Sequence, residues 1–234
     1  MPRTIDELTR VDDPAWPVIQ EWIGTSSNGA KVIAGTRGAG EAVLFRLQMT
    51  ARSMLGGVVL HCAALTVDHG WIKVLGAGVP GLPDPASASG FPDVPGDTPP
   101  VLPGLLVAVD AIGGQFAIDG GGLGAAPGEV CYWGPDSLSW VGLGTGHSGF
   151  LEWLLTGDHT SFYDTILWQG WQADAERLKP AQGFALYPFV WTKEYNPATA
   201  SRTVVPLTEV MAINASMAAQ LGPDLPLPWP GGEA

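Results

Sequence analysis

Glycine and proline punctuate this chain so closely that long uninterrupted elements are ruled out, with 32 glycines and 21 prolines among 234 residues. They follow no Gly-X-Y period, so they serve turns and loops and do not make a collagen repeat. The apolar runs between them are broken by Gly, Pro, Asp or His. None reaches the ~20 residues that a membrane helix needs. Hydrophobic residues still make up 46% of the chain and charged residues only 15%, which excludes disorder. The expectation is a folded domain of short elements joined by many turns.

The order of those elements follows from periodicity. Thr4 and Glu7 have capping-box spacing, and Asp13-Pro14 reads as the start of a helix that buries Ala15, Val18, Ile19, Trp22 and Ile23 and ends at Gly24. A second helix is predicted over about 38–50. Val58–Leu60, Leu65–Val67 and Trp71–Leu75 then read as strands, the last two joined by the turn residues Asp68-His69-Gly70. Residues 76–104 form a Pro/Gly-rich insertion, too long for an ordinary connection and so either a functional loop or a mobile one. Strands resume at Leu105–Val109, Gln115–Ile118, Val130–Trp133 and Leu138–Leu143. Helices are predicted from Ser148 to Thr156, from Asp158, from Trp171, and from about Pro206 to Leu221, with a strand-like stretch at Phe184–Trp191. This predicts an α+β fold: a single domain over 1–221, with a central, mostly antiparallel sheet flanked by N-terminal and C-terminal helices. The Pro-rich tail, 222–234, is expected to be disordered.

Charge narrows the partners. The formal net charge is −12, and residues 118–234 carry twice the excess of residues 1–117, −8 against −4. Phosphate binding requires a basic patch, so nucleic acid and anionic membrane surfaces are poor partners, whereas a basic protein would be steered favourably. The N-terminal residues lack a signal-peptide pattern, and the two cysteines, Cys62 and Cys131, sit in apolar strand-like surroundings as buried thiols. The expected location is the cytoplasm.

Most chemical motifs fail on context. Gly76–Gly81 and Gly144–Gly149 both spell G-x-G-x-x-G. The first is followed by Pro83 and Pro85, and the second leads into helices with no prompt parallel strand, so neither completes a dinucleotide-binding unit. Gly146-His147-Ser148-Gly149-Phe150 puts Phe where the hydrolase elbow needs a small residue, which leaves Ser148 as a helix cap. The four histidines and two cysteines have no metal-ligand spacing. Asp110 and Asp119 could be paired carboxylates only if they faced each other across a cleft. Asp68-His69 and Asp158-His159 are each an Asp-His pair beside a glycine, which leaves a composite acid/base or metal site open. No cofactor, catalytic constellation or metal site is predicted.

Ten tryptophans are the most unusual feature. Any that are exposed together would anchor a partner, because indole supplies a large rigid area with one polar handle. The candidate partner-binding surface is the Tyr132–Trp140 hairpin with the Trp168–Trp171 segment: Trp133, Asp136, Trp140, Asp164, Trp168 and Trp171. A small-ligand site at Asp68, His69 and Trp71, beneath the 76–104 loop, is the alternative.

Several segments carry a family resemblance: Asp13-Pro14-Ala15-Trp16-Pro17, Val67-Asp68-His69-Gly70-Trp71, Pro135-Asp136-Ser137-Leu138-Ser139-Trp140, Phe150-Leu151-Glu152-Trp153, Trp168-Gln169-Gly170-Trp171 and Tyr187-Pro188-Phe189-Val190-Trp191-Thr192. With these the chain resembles, over about 4–221, a bacterial family known as domain of unknown function 2625, which carries over no activity. Val130 to Leu151 is more loosely similar to the SUKH (Smi/Knr-like) superfamily of binding and immunity proteins. That resemblance implies an α+β fold and a binding role. The resulting expectation is a non-catalytic, protein-binding domain of immunity-like type, with an enzyme or small-ligand binder near Asp68, His69 and the 76–104 loop as the alternative.

Overall fold

The computed structural model describes residues 1–98, 100–221 and 228–229. Seven strands hydrogen-bond in strict chain order: β1 (Lys31–Ala34), β2 (Cys62–Val67), β3 (Ile72–Leu75), β4 (Gly104–Asp110), β5 (Gln115–Asp119), β6 (Glu129–Gly134) and β7 (Ser139–Gly146). Every neighbouring pair is antiparallel. A second antiparallel sheet pairs β8 (Gln182–Tyr187) with β9 (Ser201–Pro206). The helices are α1 (Ile5–Thr9), α2 (Trp16–Thr25), α3 (Arg37–Leu47), α4 (Met54–His61), α5 (Pro85–Ala88), α6 (His147–Thr156), α7 (Trp171–Ala175) and α8 (Leu207–Leu221). The chain is thus a single α+β domain, and none of its described helices is long and apolar enough to cross a membrane.

Alternation along the strands gives the sheet two buried faces. Leu65, Val67, Ile72, Val74, Phe116, Val130 and Tyr132 belong to the main core, which takes in α2, α4 and α6. Ala64, Leu75, Leu106 and Val109 form a second cluster with Leu207 and Met211 of α8. Polar groups in the covered parts must find partners inside the protein. Asp110 illustrates this: it is fully buried and accepts from Tyr132 Oη (2.8 Å), Tyr163 Oη (3.1 Å), Gly114 N (2.7 Å) and Ile112 N (3.0 Å). Burial still raises its pKa.

Several local expectations are corrected. Val58–Leu60 is the last part of helix α4, which Ser53 caps by accepting from Gly56 N. A short, fully apolar run has no readable period, and here the cap decides it. Helix α2 starts at Trp16 without a side-chain cap, two residues beyond the expected start at Pro14. Gly146, not Ser148, is the cap residue of α6. Asp158 leads only into a 3-10 turn at Thr160–Phe162. Strands β1 and β9 have no counterpart in the sequence reading, because both are short and mostly exposed.

Part of the 76–104 segment, about 82–91, is packed against the domain, whereas 92–94, 96–98, 100, 101 and 103 are exposed. Leu82, Pro85 and Ala86 are buried, and Arg46 clasps the segment through Ser87 Oγ (2.7 Å) and Phe91 O (2.6 Å). Of the tail expected to be disordered, 222–227 and 230–234 lie outside the described residues. Trp229 sits against Trp140, with ring centroids 5.6 Å apart, and the Gln115 side-chain amide bonds both its N–H (2.8 Å) and its carbonyl.

Candidate functional site

One cross-strand row runs over the whole large sheet. Register pairs Lys31 with Thr66, Thr66 with Lys73, Lys73 with Val109, Val109 with Gln115, Gln115 with Trp133, and Trp133 with Trp140. Residues paired directly in this way share a face. At mid-row Val109 packs with Leu207 and Met211, so α8 separates a tryptophan end from a lysine end.

The lysine end opens into a pocket of about 290 Å³, lined by Lys31, Val32, Ile33, Thr66, His69, Gly70, Lys73, Ala175, Glu176, Leu178 and Pro180. That is near the lower size limit for small-molecule sites. Lys73 is 1% exposed, and its Nζ has no hydrogen-bond partner among the described residues. Burial pulls its pKa down to about 8, with Asp110 pulling weakly the other way. The Thr66 hydroxyl donates to the Lys31 carbonyl (3.4 Å), and the Lys31 side chain is exposed at the rim.

His69 reaches this pocket because the β2–β3 turn is left-handed. Asp68, His69 and Gly70 all have positive φ (54°, 59° and 90°), and Trp71 N donates to Asp68 O (2.9 Å) to close the turn. The turn thereby aims His69 at Glu176, which follows α7, with Nδ1 2.7 Å from Oε1. That hydrogen bond holds the Glu176 carboxyl below its usual pKa range. The site therefore combines two of the chain's four lysines, a histidine, a hydroxyl and one carboxylate, on a protein of net charge −12.

The two Asp-His pairs are brought together only in part. Asp68 Oδ2 lies 3.6 Å from Nδ1 of His159, while His159 Nε2–H donates to Trp153 O (3.0 Å). His159 is 3% exposed and packs against the Trp153 ring at 4.7 Å, so this contact ties the turn to the end of α6. Among the described residues no three His, Cys, Asp or Glu side chains come together as a metal site. Trp71 is fully buried at the centre of an aromatic cluster with Tyr163, Trp168, Trp171 and Phe184. Of the three alternative-site residues, His69 alone lines the pocket.

The expected aromatic surface does not form. Trp133, Trp168 and Trp171 are buried, and Trp140 is half-buried beneath Trp229. Strand parity is the reason. Trp133 and Trp140 share the row of Gln115, whereas Trp168 and Trp171 pack around Trp71 in the core on the other face. Asp136 and Asp164 are exposed but lack that indole centre.

Two other hollows offer less chemistry. The slot between Phe184, Trp191 and Asn214 holds only about 30 Å³, room for roughly one water. The hollow of Leu143, Thr145, Gly149, Trp153 and Phe162 is apolar apart from one hydroxyl. Sequence reasoning missed Lys31, Thr66, Lys73 and Glu176. One signal was available: Lys73 is a lone charge inside the apolar strand Trp71-Ile72-Lys73-Val74-Leu75, in a chain with few lysines.

The comparisons agree with one another. The family model described as "Protein of unknown function DUF2625" matches residues 5–210. The chain is 35% identical over 216 residues to the Putative uncharacterized protein YbfG of Escherichia coli (strain K12), an alignment that covers 92% of this chain and 97% of the relative. It is 34% identical over 190 residues to an uncharacterized protein of Haemophilus influenzae, covering 80% and 82% respectively. No solved structure matches. With a family model spanning most of its length and these two relatives, the chain belongs to the DUF2625 family.

Proposed function

We propose that this protein binds a small anionic molecule in the pocket between β1–β3 and the segment that follows α7. The observation that carries the reading is Lys73, a residue that lines the pocket and whose buried amine has no acceptor among the described residues. Leaving such a group unpaired is costly, and an arriving carboxylate or phosphate supplies the missing acceptor. Lys31 at the rim adds a second cation that can orient the ligand. His69, already engaged by Glu176, lines the same pocket. A basic protein partner would still be steered by the acidic surface, but three of the four indoles that would anchor it, Trp133, Trp168 and Trp171, are buried.

Thermal melts with inorganic phosphate, succinate and citrate test the proposal. A ligand at about 100 times its Kd should stabilise the fold by roughly 2.7 kcal/mol. Lys73→Met and Lys31→Met should each abolish or weaken that shift. If none of the anions raises Tm, or if the shift survives both substitutions, this pocket is not the site.

A further inference from the structure

We propose that Lys73 is a nucleophile, condensing with a short aldehyde or ketone that carries a carboxylate or phosphate to form an imine in the pocket. The inference rests on the anion-binding reading and narrows its ligand class to anionic carbonyl compounds.

Three features distinguish Lys73 from a simple counter-charge. Its Nζ has no acceptor among the described residues to hold it as an ammonium, which is the desolvated setting that makes lysine amines reactive. Lys31 stands two strands away in the same cross-strand row, about 10 Å from backbone to backbone, so it can hold a charged group while the carbonyl reaches Lys73. The hydrogen-bonded His69–Glu176 pair lines the same pocket and can move the protons that imine formation requires. An amine pulled down to about 8 is also about one-tenth neutral at pH 7, against less than about a thousandth for an ordinary lysine.

The step balances without an oxidant or reductant. The neutral amine adds to the carbonyl carbon, and a proton passes from nitrogen to the former carbonyl oxygen to give a carbinolamine. The C–O bond then breaks, oxygen leaves as water after taking up a second proton, and the C=N bond forms. Hydrolysis reverses the sequence.

The experiment uses the full chain with glyoxylate, pyruvate and succinic semialdehyde, each reduced in situ with borohydride, and with propanal as the uncharged control. Peptide mass mapping should find the reduced adduct on Lys73 in preference to Lys31, Lys179 and Lys193. The charged probes should label it at least about tenfold more efficiently than propanal, and Lys31→Met should remove that advantage. Because the wild-type chain is mapped, the result does not depend on a Lys73 variant that folds. Labelling spread evenly over the lysines overturns the proposal. So does the absence of an adduct while phosphate or succinate still raises Tm, and that outcome leaves anion binding standing. Failure of both readouts removes both proposals.

Discussion

Lys73 sets the energetics at the scale of single residues. Its pKa is 10.5 in an unfolded chain and about 8 in the fold, so the unfolded state binds more protons between those values. Stability should therefore rise with pH across that window, and below it the fold bears the full cost, of order 3 kcal/mol. Lys73→Met, which keeps the stem and removes the charge, should stabilise the protein by roughly 1–3 kcal/mol at pH 7. The gain should fade as the pH approaches 10. Denaturant titrations of both proteins at pH 7 and near pH 10 check the sign. A variant less stable than wild type at pH 7 would mean that the amine has a partner in the fold. The two thiols behave as a buried pair of small apolar groups: both are free, and burial pushes Cys62 up to about 12.

Between elements, close backbone contact and one docked side chain govern the packing. A Cβ on Gly40 of α3 would meet Val59 O at 2.6 Å and the Leu60 Cα at 2.8 Å, both backbone atoms of α4 that cannot swing aside. Gly40→Ala should therefore destabilise the protein by about 2–3 kcal/mol even though alanine favours the helix, as a drop in the denaturant midpoint would show. Trp229 binds the sheet through ring contact with Trp140 and through both backbone polar groups, which Gln115 satisfies. Trp229→Ala should keep the backbone pairing and lose the ring, costing about 1–2 kcal/mol and lowering Tm by a few degrees. An unchanged Tm would show that the Trp229 ring contributes nothing to the fold.

At the scale of the whole molecule, a net charge of −12 opposes compaction through self-repulsion. Salt should screen that repulsion, so Tm at pH 7 is expected to rise between low salt and about 0.5 M sodium chloride. A falling Tm would mean that attractive pairs dominate. Three of the described ion pairs argue against that outcome, since Asp6–Arg10, Arg37–Glu41 and Asp174–Arg177 all have an exposed arginine and stabilise weakly, whereas the largely buried Arg46–Asp84 pair is screened less.

The sequence by itself determined the class of fold, most strands of the meander and the final helix, because alternation and turn residues act locally. The Asp68-His69-Gly70 turn was legible for the same reason: its left-handed residues are turn-formers, and two β-rich runs flank it. Tertiary structure alone decided that Val58–Leu60 is helical, where a cap and glycine-mediated packing outweigh β-branched propensity. It also decided which tryptophans meet, since the sheet parts Trp133 and Trp140 from Trp168 and Trp171. The candidate site was legible only at His69. Its other charged and polar members lie on β1, β2, β3 and the segment after α7, and strand register, a long-range property, places Lys31, Thr66 and Lys73 in one row.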